Sequence, residues 1–300
     1  MQKEVENAKR LIGGVLRKRQ ILKAAGKSPE YLDAIEWFDQ IAKGRKYNPV
    51  YAQLSLSFLA IHTTADMVTQ LMYDLAEHPE VIQQLRDEVL AVLGKYGWKK
   101  SSLYNLKLMD STMKESQRIR PISEGKSNLT CLRSVLSKIR SAQSVNLERS
   151  RLTGISVSIQ RCAEKDVRLA DGTFISKGTI LAVASTRHWD SNYYPEPRTF
   201  EADRFLKLRS DPTKENTSQF VSTSPDHLGF GHGQHACPGR FFASNEVKIV
   251  MCHILLKYDW RLVNGQKPKT GIHGFILTCD HSTKIEIRAR QPELDLDALE

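Results

Sequence analysis

No run of this 300-residue chain reaches the roughly 18 consecutive apolar, uncharged residues that a membrane-spanning helix requires. Its opening, MQKEVENAKR, is charged and has no apolar core, so no secretory signal is expected. Cysteine is scarce and odd in number: five, at positions 131, 162, 237, 252 and 279, too scattered for a disulfide scaffold and consistent with a reducing compartment. Seventeen Gly, eleven Pro, 40% apolar residues and the lack of a sustained heptad exclude collagen, coiled coil and general disorder. No internal repeat marks a solenoid. The formal charge of +10 comes from 44 Lys and Arg against 34 Asp and Glu. These are spread along the chain and not interleaved with aromatics, so no nucleic-acid partner is expected. The length allows one large domain or two modest ones.

What is present begins as helix. Residues 1–45 carry apolar positions at helical spacing (Leu11, Ile12, Val15, then Ile35, Phe38, Ile41) with a break around 26–29, which predicts two surface helices. Asn48-Pro49 opens the next element. The run 50–76 contains no Gly or Pro and is apolar over more than one face, predicting a long, mostly buried helix. Another helix starts at Pro79 and is expected to end at Gly94, and a fourth spans 106–119, stopped by Pro121. Residues 124–154 then hold six Ser, six Lys or Arg and two Glu, with no aromatic and no clean period. Short β-type runs follow at 155–159, 167–169, 174–175 and 179–183, separated by turn signals such as Asp171-Gly172 and Lys177-Gly178. A long loop region covers 189–240, a helix 241–256, and the runs 275–277 and 284–288 read as a closing hairpin. The fold class expected is mainly α with minor β.

The segment 229–243, GFGHGQHACPGRFFA, places Cys237 in a glycine-rich loop directly before that last helix. Three glycines in five residues let the backbone approach a flat ligand, and the start of a helix favours a thiolate, a natural metal ligand. A bare Cys-Pro-Gly would equally suit a buried cysteine beside a turn. The full Phe-Gly-x-Gly-x-His-x-Cys-x-Gly spacing narrows the reading.

This segment resembles the haem-binding loop of the cytochrome P450 family, and the resemblance implies a haem cofactor with Cys237 as axial thiolate of the iron. It further implies that His235 faces a haem propionate and that Phe230 packs against the ring near the sulfur. Lys114-Glu115-Ser116-Gln117-Arg118 sets Glu115 and Arg118 three apart on one helical face, which alone is weak evidence because exposed pairs of this kind are common. In the family, a Glu-x-x-Arg pair on a core helix is joined by an Arg from a later segment. Here 200–205, FEADRF, is similar to that segment, with Ala202 and Asp203 in place of the usual Pro and Glu. The implied role of Glu115, Arg118 and Arg204 is a structural ion network. Arg161 corresponds to a strand Arg directed at a propionate.

In the middle of the 50–76 helix, LAIHTT at 59–64 matches the family's oxygen-activating site, with Thr63 as the Thr and His62 where an acid is usual. A Thr in a helix can equally spend its hydroxyl on the carbonyl four residues back. His62 makes the implied proton relay an altered one, since His can shuttle protons yet is neutral near pH 7. The resemblance runs from about 49 to 288, interrupted by 124–154, and its forms look most like fungal members that oxidise terpenoids and related secondary metabolites. What it implies is a partial cytochrome P450 fold as one domain over 1–300. The implied activity is a haem-thiolate monooxygenase taking dioxygen, electrons from NADPH-cytochrome P450 reductase and an apolar small-molecule substrate. A haem-thiolate isomerase or dehydratase is the alternative chemistry.

Two features depart from the family. Its members carry more chain before the distal helix, including an anchor in the endoplasmic reticulum membrane. The expectation is therefore a truncated product with a complete thiolate side, an exposed haem and an incomplete substrate pocket, and a non-catalytic fragment stands as an alternative. The stretch 125–154 is an atypical insertion. Gly125-Lys126-Ser127 and Leu152-Thr153-Gly154 can be encoded by intron-border sequences, so a retained intron is expected there, with a solvated basic loop as the other reading.

Overall fold

The computed structural model describes residues 2–27, 31, 33–121, 157–273 and 276–299. The expected insertion at 125–154 lies outside the described residues. The chain divides into two compact units, Met1–Thr63 and Thr64–Glu300.

The first unit holds α1 (Gln2–Ala24), α2 (Ala34–Ala42) and the start of α3 (Pro49–Ala76). Arg19 grips the carboxylate of Asp33 with both terminal nitrogens, and its guanidinium lies 3.9 Å from the centroid of the Tyr31 ring. Asp33 also caps α2, accepting from Glu36 N at 3.1 Å. Asn48 does the same for α3, its Oδ1 accepting from the backbone N–H of Val50 and Tyr51 at 3.0 and 3.2 Å, with Pro49 at the first helical position.

The expectation of a mostly buried long helix holds for one half of α3 only. Residues 70–75 are buried, whereas Phe58 and Ile61 are 59% and 63% exposed. Apolar residues on several faces need neighbours on several sides, and among the described residues only the second half of α3 has them.

In the second unit, α4 (Pro79–Tyr96), α5 (Lys100–Asn105), α6 (Lys107–Ile119), α7 (Arg204–Leu208) and α8 (Arg240–Lys257) surround one core. Leu71 and Leu75 of α3, Leu85, Val89 and Leu93 of α4, Met109 and Met113 of α6, and Met251 and Leu255 of α8 form its centre. The α4 helix runs past Gly94, where its termination was expected, and ends at Gly97, which takes φ 65° and donates to Leu93 O at 2.8 Å. Gly94 has ordinary helical backbone; the left-handed turn needed to stop the helix comes at Gly97.

The most central helix, α6, is polar in sequence, and every residue from Met109 to Arg118 is buried. It can be buried because its polar groups are paired. Ser111 Oγ donates to Ala202 O and accepts from Leu206 N, Ser116 Oγ donates to Asp74, and Asp110 receives Lys248 Nζ at 2.7 Å. Glu88 reaches over from α4 and accepts from Leu108 N and Met109 N, satisfying the free N–H groups at the start of α6.

Among the described residues, eight short strands form four antiparallel pairs. β1 (Val157–Cys162) pairs with β4 (Ile180–Ala184), and β2 (Val167–Arg168) with β3 (Phe174–Ile175). The expected closing hairpin between 275–277 and 284–288 does not form. β7 (Ile276–Thr278) pairs with β6 (Gly271–His273), and β8 (Ile285–Ala289) pairs with β5 (Tyr258–Leu262) directly after α8. Trp260 in β5 decides the second pairing: its ring is buried and its Nε1 donates to Met72 O at 2.9 Å, which docks that strand on the core. Among the described residues no helix is long and apolar enough to cross a membrane.

Candidate functional site

Cys237 sits three residues before α8 in a loop closed on itself. Its backbone N–H donates to Phe230 O at 2.8 Å, Gly231 N donates to Leu228 O at 2.8 Å, and Ala236 N donates to Gly233 O at 3.0 Å. Gly231 and Gly233 take φ of 70° and 76°, a region that a side chain would strain. Gly229 answers a different need: a Cβ there would come within 2.2 Å of Gln117 Oε1, a buried oxygen without a hydrogen-bond partner among the described residues. Arg240 fastens the loop, donating to Cys237 O at 2.7 Å and to Val221 O at 3.0 Å.

The four described cysteines differ in environment. Cys252 is buried, and burial pushes its thiol up to about 12. Cys279 is also buried and donates to Asp66. Cys162 is exposed. Cys237 is half-buried, and its sulfur makes no hydrogen bond among the described residues. Behind the loop, the Phe230 ring meets Phe220 edge-on at 5.0 Å between centroids, while Phe241 and Phe242 at the start of α8 are exposed. His235 is exposed, and Arg161 lies on β1 opposite Leu181, also exposed.

The structure brings Glu115, Arg118 and Arg204 together. Arg118 Nε and Nη2 donate to the two oxygens of Glu115 at 2.7 Å each, and Arg204 Nε donates to Oε1 at 3.0 Å. None of the three is more than 5% exposed. Arg118 also donates to His188 O and Pro197 O, and Arg204 to Pro195 O and Thr199 O, carbonyls of one loop, while Arg204 Nη2 pairs with Glu201 Oε2 at 3.2 Å. In the first unit, Thr63 donates its hydroxyl to Leu59 O at 2.6 Å, the i−4 bond, and the exposed His62 ring lies 4.6 Å from that of Phe58.

The family model for cytochrome P450 matches residues 49–130 and 135–286. The chain belongs to the cytochrome P450 family. Among curated proteins, it is 42% identical to cytochrome P450 monooxygenase 1 of Gibberella fujikuroi, over 97% of this chain and 60% of that protein. It is 42% identical to the monooxygenase calE of Penicillium decumbens, over 99% and 52%, and 40% identical to olcG of Penicillium canescens, over 100% and 55%. The chain thus spans about half the length of these cytochrome P450 relatives.

The cytochrome P450 cofactor is haem, and the residues around Cys237 fit it. The sulfur is a soft donor on a half-buried residue, and its own loop leaves it without a competing hydrogen bond.

Three groups of this cytochrome P450 were not legible in the sequence. Lys114 Nζ is buried and donates to Thr217 O, Gln219 O and Ser222 O at 3.0, 2.7 and 3.0 Å, tying the segment before the Cys loop to α6. The His188 and His227 rings, both buried, lie 5.0 Å apart between centroids and are tilted by 31° to each other. Asp74 gathers Ser116, Gln70 and Arg120. Each depends on a partner from 4 to more than 100 residues away, and no local spacing announces most of these.

These buried groups give stability opposing pH dependences. Burial, and then the Arg118 charge, hold His188 down at about 4, so in the fold it stays neutral where the unfolded chain protonates. Stability is therefore lost as pH falls from 6.5 toward 4, by about 3 kcal/mol for this group. Asp74 behaves oppositely: burial raises it to about 6 against the pull of Arg120, so the folded chain takes up its proton first. Stability is regained between pH 6 and 4, again by about 3 kcal/mol. Asp74→Asn is expected to make the acid-side loss steeper in urea unfolding midpoints measured from pH 7 to 4. Parallel profiles for the two proteins would contradict the assignment.

Proposed function

We propose that the chain carries the thiolate side of a haem monooxygenase site, with Cys237 as the axial ligand. The observation that supports this most is a half-buried sulfur without a hydrogen bond, on a loop fixed from both sides by Phe230 O and Arg240. When bound, the haem supplies dioxygen activation with electrons from a reductase, the thiolate favouring O–O cleavage. Phe230 shields the loop from the core side, while His235 and Arg161 are the cations proposed to meet the propionates. Glu115, Arg118 and Arg204 hold the 188–199 loop and take no part in chemistry. The whole of 1–300 is proposed as one partial domain, with 125–154 an insertion into it.

Thr63 is the hydroxyl proposed for oxygen activation. Its proton is engaged with Leu59 O, so it must leave that bond to serve, and the solvent-exposed His62 can pass protons to it. The proposed substrate is an apolar secondary metabolite of terpenoid type. The proposed partner is NADPH-cytochrome P450 reductase at the endoplasmic reticulum membrane. A second reading, a fragment that holds haem without turnover, is favoured by the exposed apolar face of α3 at Phe58 and Ile61.

The test is oxidation of a terpenoid panel by the haem-loaded chain with reductase, NADPH and dioxygen. Oxygen-containing product that disappears without NADPH is expected. Product formed equally without electrons would point to an isomerase or dehydratase. Stable haem with no product would leave the fragment reading.

A further inference from the structure

Outside the Cys237 loop, the second unit brings together a second set of soft and borderline donors. Among the described residues, Asp66, Cys279 and His281 form the one group whose carboxylate, thiol and imidazole atoms all lie within 4.8 Å of one another. Cys279 Sγ is 3.1 Å from Asp66 Oδ1 and 3.8 Å from His281 Nδ1. A tetrahedral zinc-class ion with bonds of about 2.0 Å to N and O and 2.3 Å to S needs donor separations of about 3.5 Å. The two spacings from Cys279 Sγ bracket that value, and all three donor atoms lie within 4.8 Å of one another, so an ion needs only side-chain adjustment at the half-buried Asp66 and the exposed His281.

The neighbours hold this geometry in place. Asp280, between the two ligands on the turn, accepts from Ser282 N, Ser282 Oγ and Thr283 Oγ1 within the turn and from Lys269 N ahead of β6. Tyr73 then fastens the turn to α3, its hydroxyl lying 2.8 Å from Asp280 O and 3.0 Å from Thr283 O. Asp66 stands two helical turns before Tyr73 on the same face, which brings its carboxylate against Cys279. Cys279 is buried, Asp66 half-buried and His281 exposed, so the group opens to solvent on the imidazole side.

We propose that Asp66, Cys279 and His281 bind one divalent ion of the zinc class, with water in the fourth position. The sulfur excludes magnesium and calcium, which require oxygen ligands. On binding, the Cys279 thiol gives its proton to solvent and its sulfur, which now donates to Asp66, bonds the metal instead; no electron is transferred. The ion joins α3 to the turn following β7, and so fixes the β6–β7 hairpin to the helix. The site is separate from Cys237 and does not depend on haem.

The experiment is titration of the full, tag-free chain with Co2+, read by the thiolate-to-cobalt charge-transfer band and competed with Zn2+. One Co2+ per chain is expected, and the band should persist in Cys237→Ala and vanish in Cys279→Ala. His281→Ala, at an exposed position that leaves the core intact, should weaken binding by about tenfold or more. The absence of a band in the folded chain would overturn the proposal. A band unchanged by His281→Ala would do the same, and that variant decides the matter if Cys279→Ala fails to fold.

Discussion

Glu115→Ala is expected to cost about 3–5 kcal/mol of stability, a large part of the 5–15 kcal/mol that holds a typical domain. The reason is an imbalance that Glu115 resolves: two guanidiniums, Arg118 and Arg204, are buried around one carboxylate. Removing the carboxylate leaves Arg118 with the carbonyls of His188 and Pro197, and Arg204 with the carbonyls of Pro195 and Thr199 and the part-exposed Glu201 carboxylate at 3.2 Å. Glu201 N also loses an acceptor, since it donates to Glu115 Oε1 at 3.2 Å. Glu115→Gln keeps the shape and one acceptor oxygen, and should lose less. Urea unfolding followed by circular dichroism measures both, and a loss below about 1 kcal/mol for the Ala variant would mean that the pair behaves as an exposed one.

Lys114→Met is expected to destabilise by about 3 kcal/mol and to loosen 217–222 before the rest of the chain. Burial draws the ammonium down to about 7, yet three carbonyls converge on it and each favours the charged donor. Met fills the stem volume, and the three oxygens lose their donor; an orphaned buried acceptor costs about 1–3 kcal/mol, partly offset by no longer burying a charge. The readout is native-state hydrogen exchange. Faster exchange concentrated at Phe220 N and Ser222 N is expected, and uniform acceleration across α4, α6 and α8 would contradict a local clamp.

Helix positions were largely legible because their signals are local. Asn48-Pro49 and Pro79 start helices by a cap or a preset φ, and both boundaries appear as read. The order of motifs around Glu115, Thr63 and Cys237 carried the family. What could not be read depended on partners distant in sequence. The helix α6 looks like a surface helix by composition and is buried because Asp74, Glu88, Ala202 and Lys248 meet its polar groups. Trp260 and its strand were missed because a five-residue run after a helix has no turn signal of its own, and the pairing with β8 is fixed by docking on Met72 O. The Glu115–Arg118 spacing is identical in an exposed pair and a buried one. Burial alone separates a contribution near zero from a large one, and burial is a property of the whole fold.

The reduced, carbon monoxide-bound absorption spectrum decides whether Cys237 holds the haem as proposed. Cys237 makes hydrogen bonds only through its backbone, so Cys237→Ala should keep the fold and its unfolding midpoint. A thiolate-type band in the haem-loaded chain, lost in Cys237→Ala and kept in Cys279→Ala, is the predicted result. A band that survives Cys237→Ala, or a chain that binds haem with no thiolate-type band at all, would contradict it.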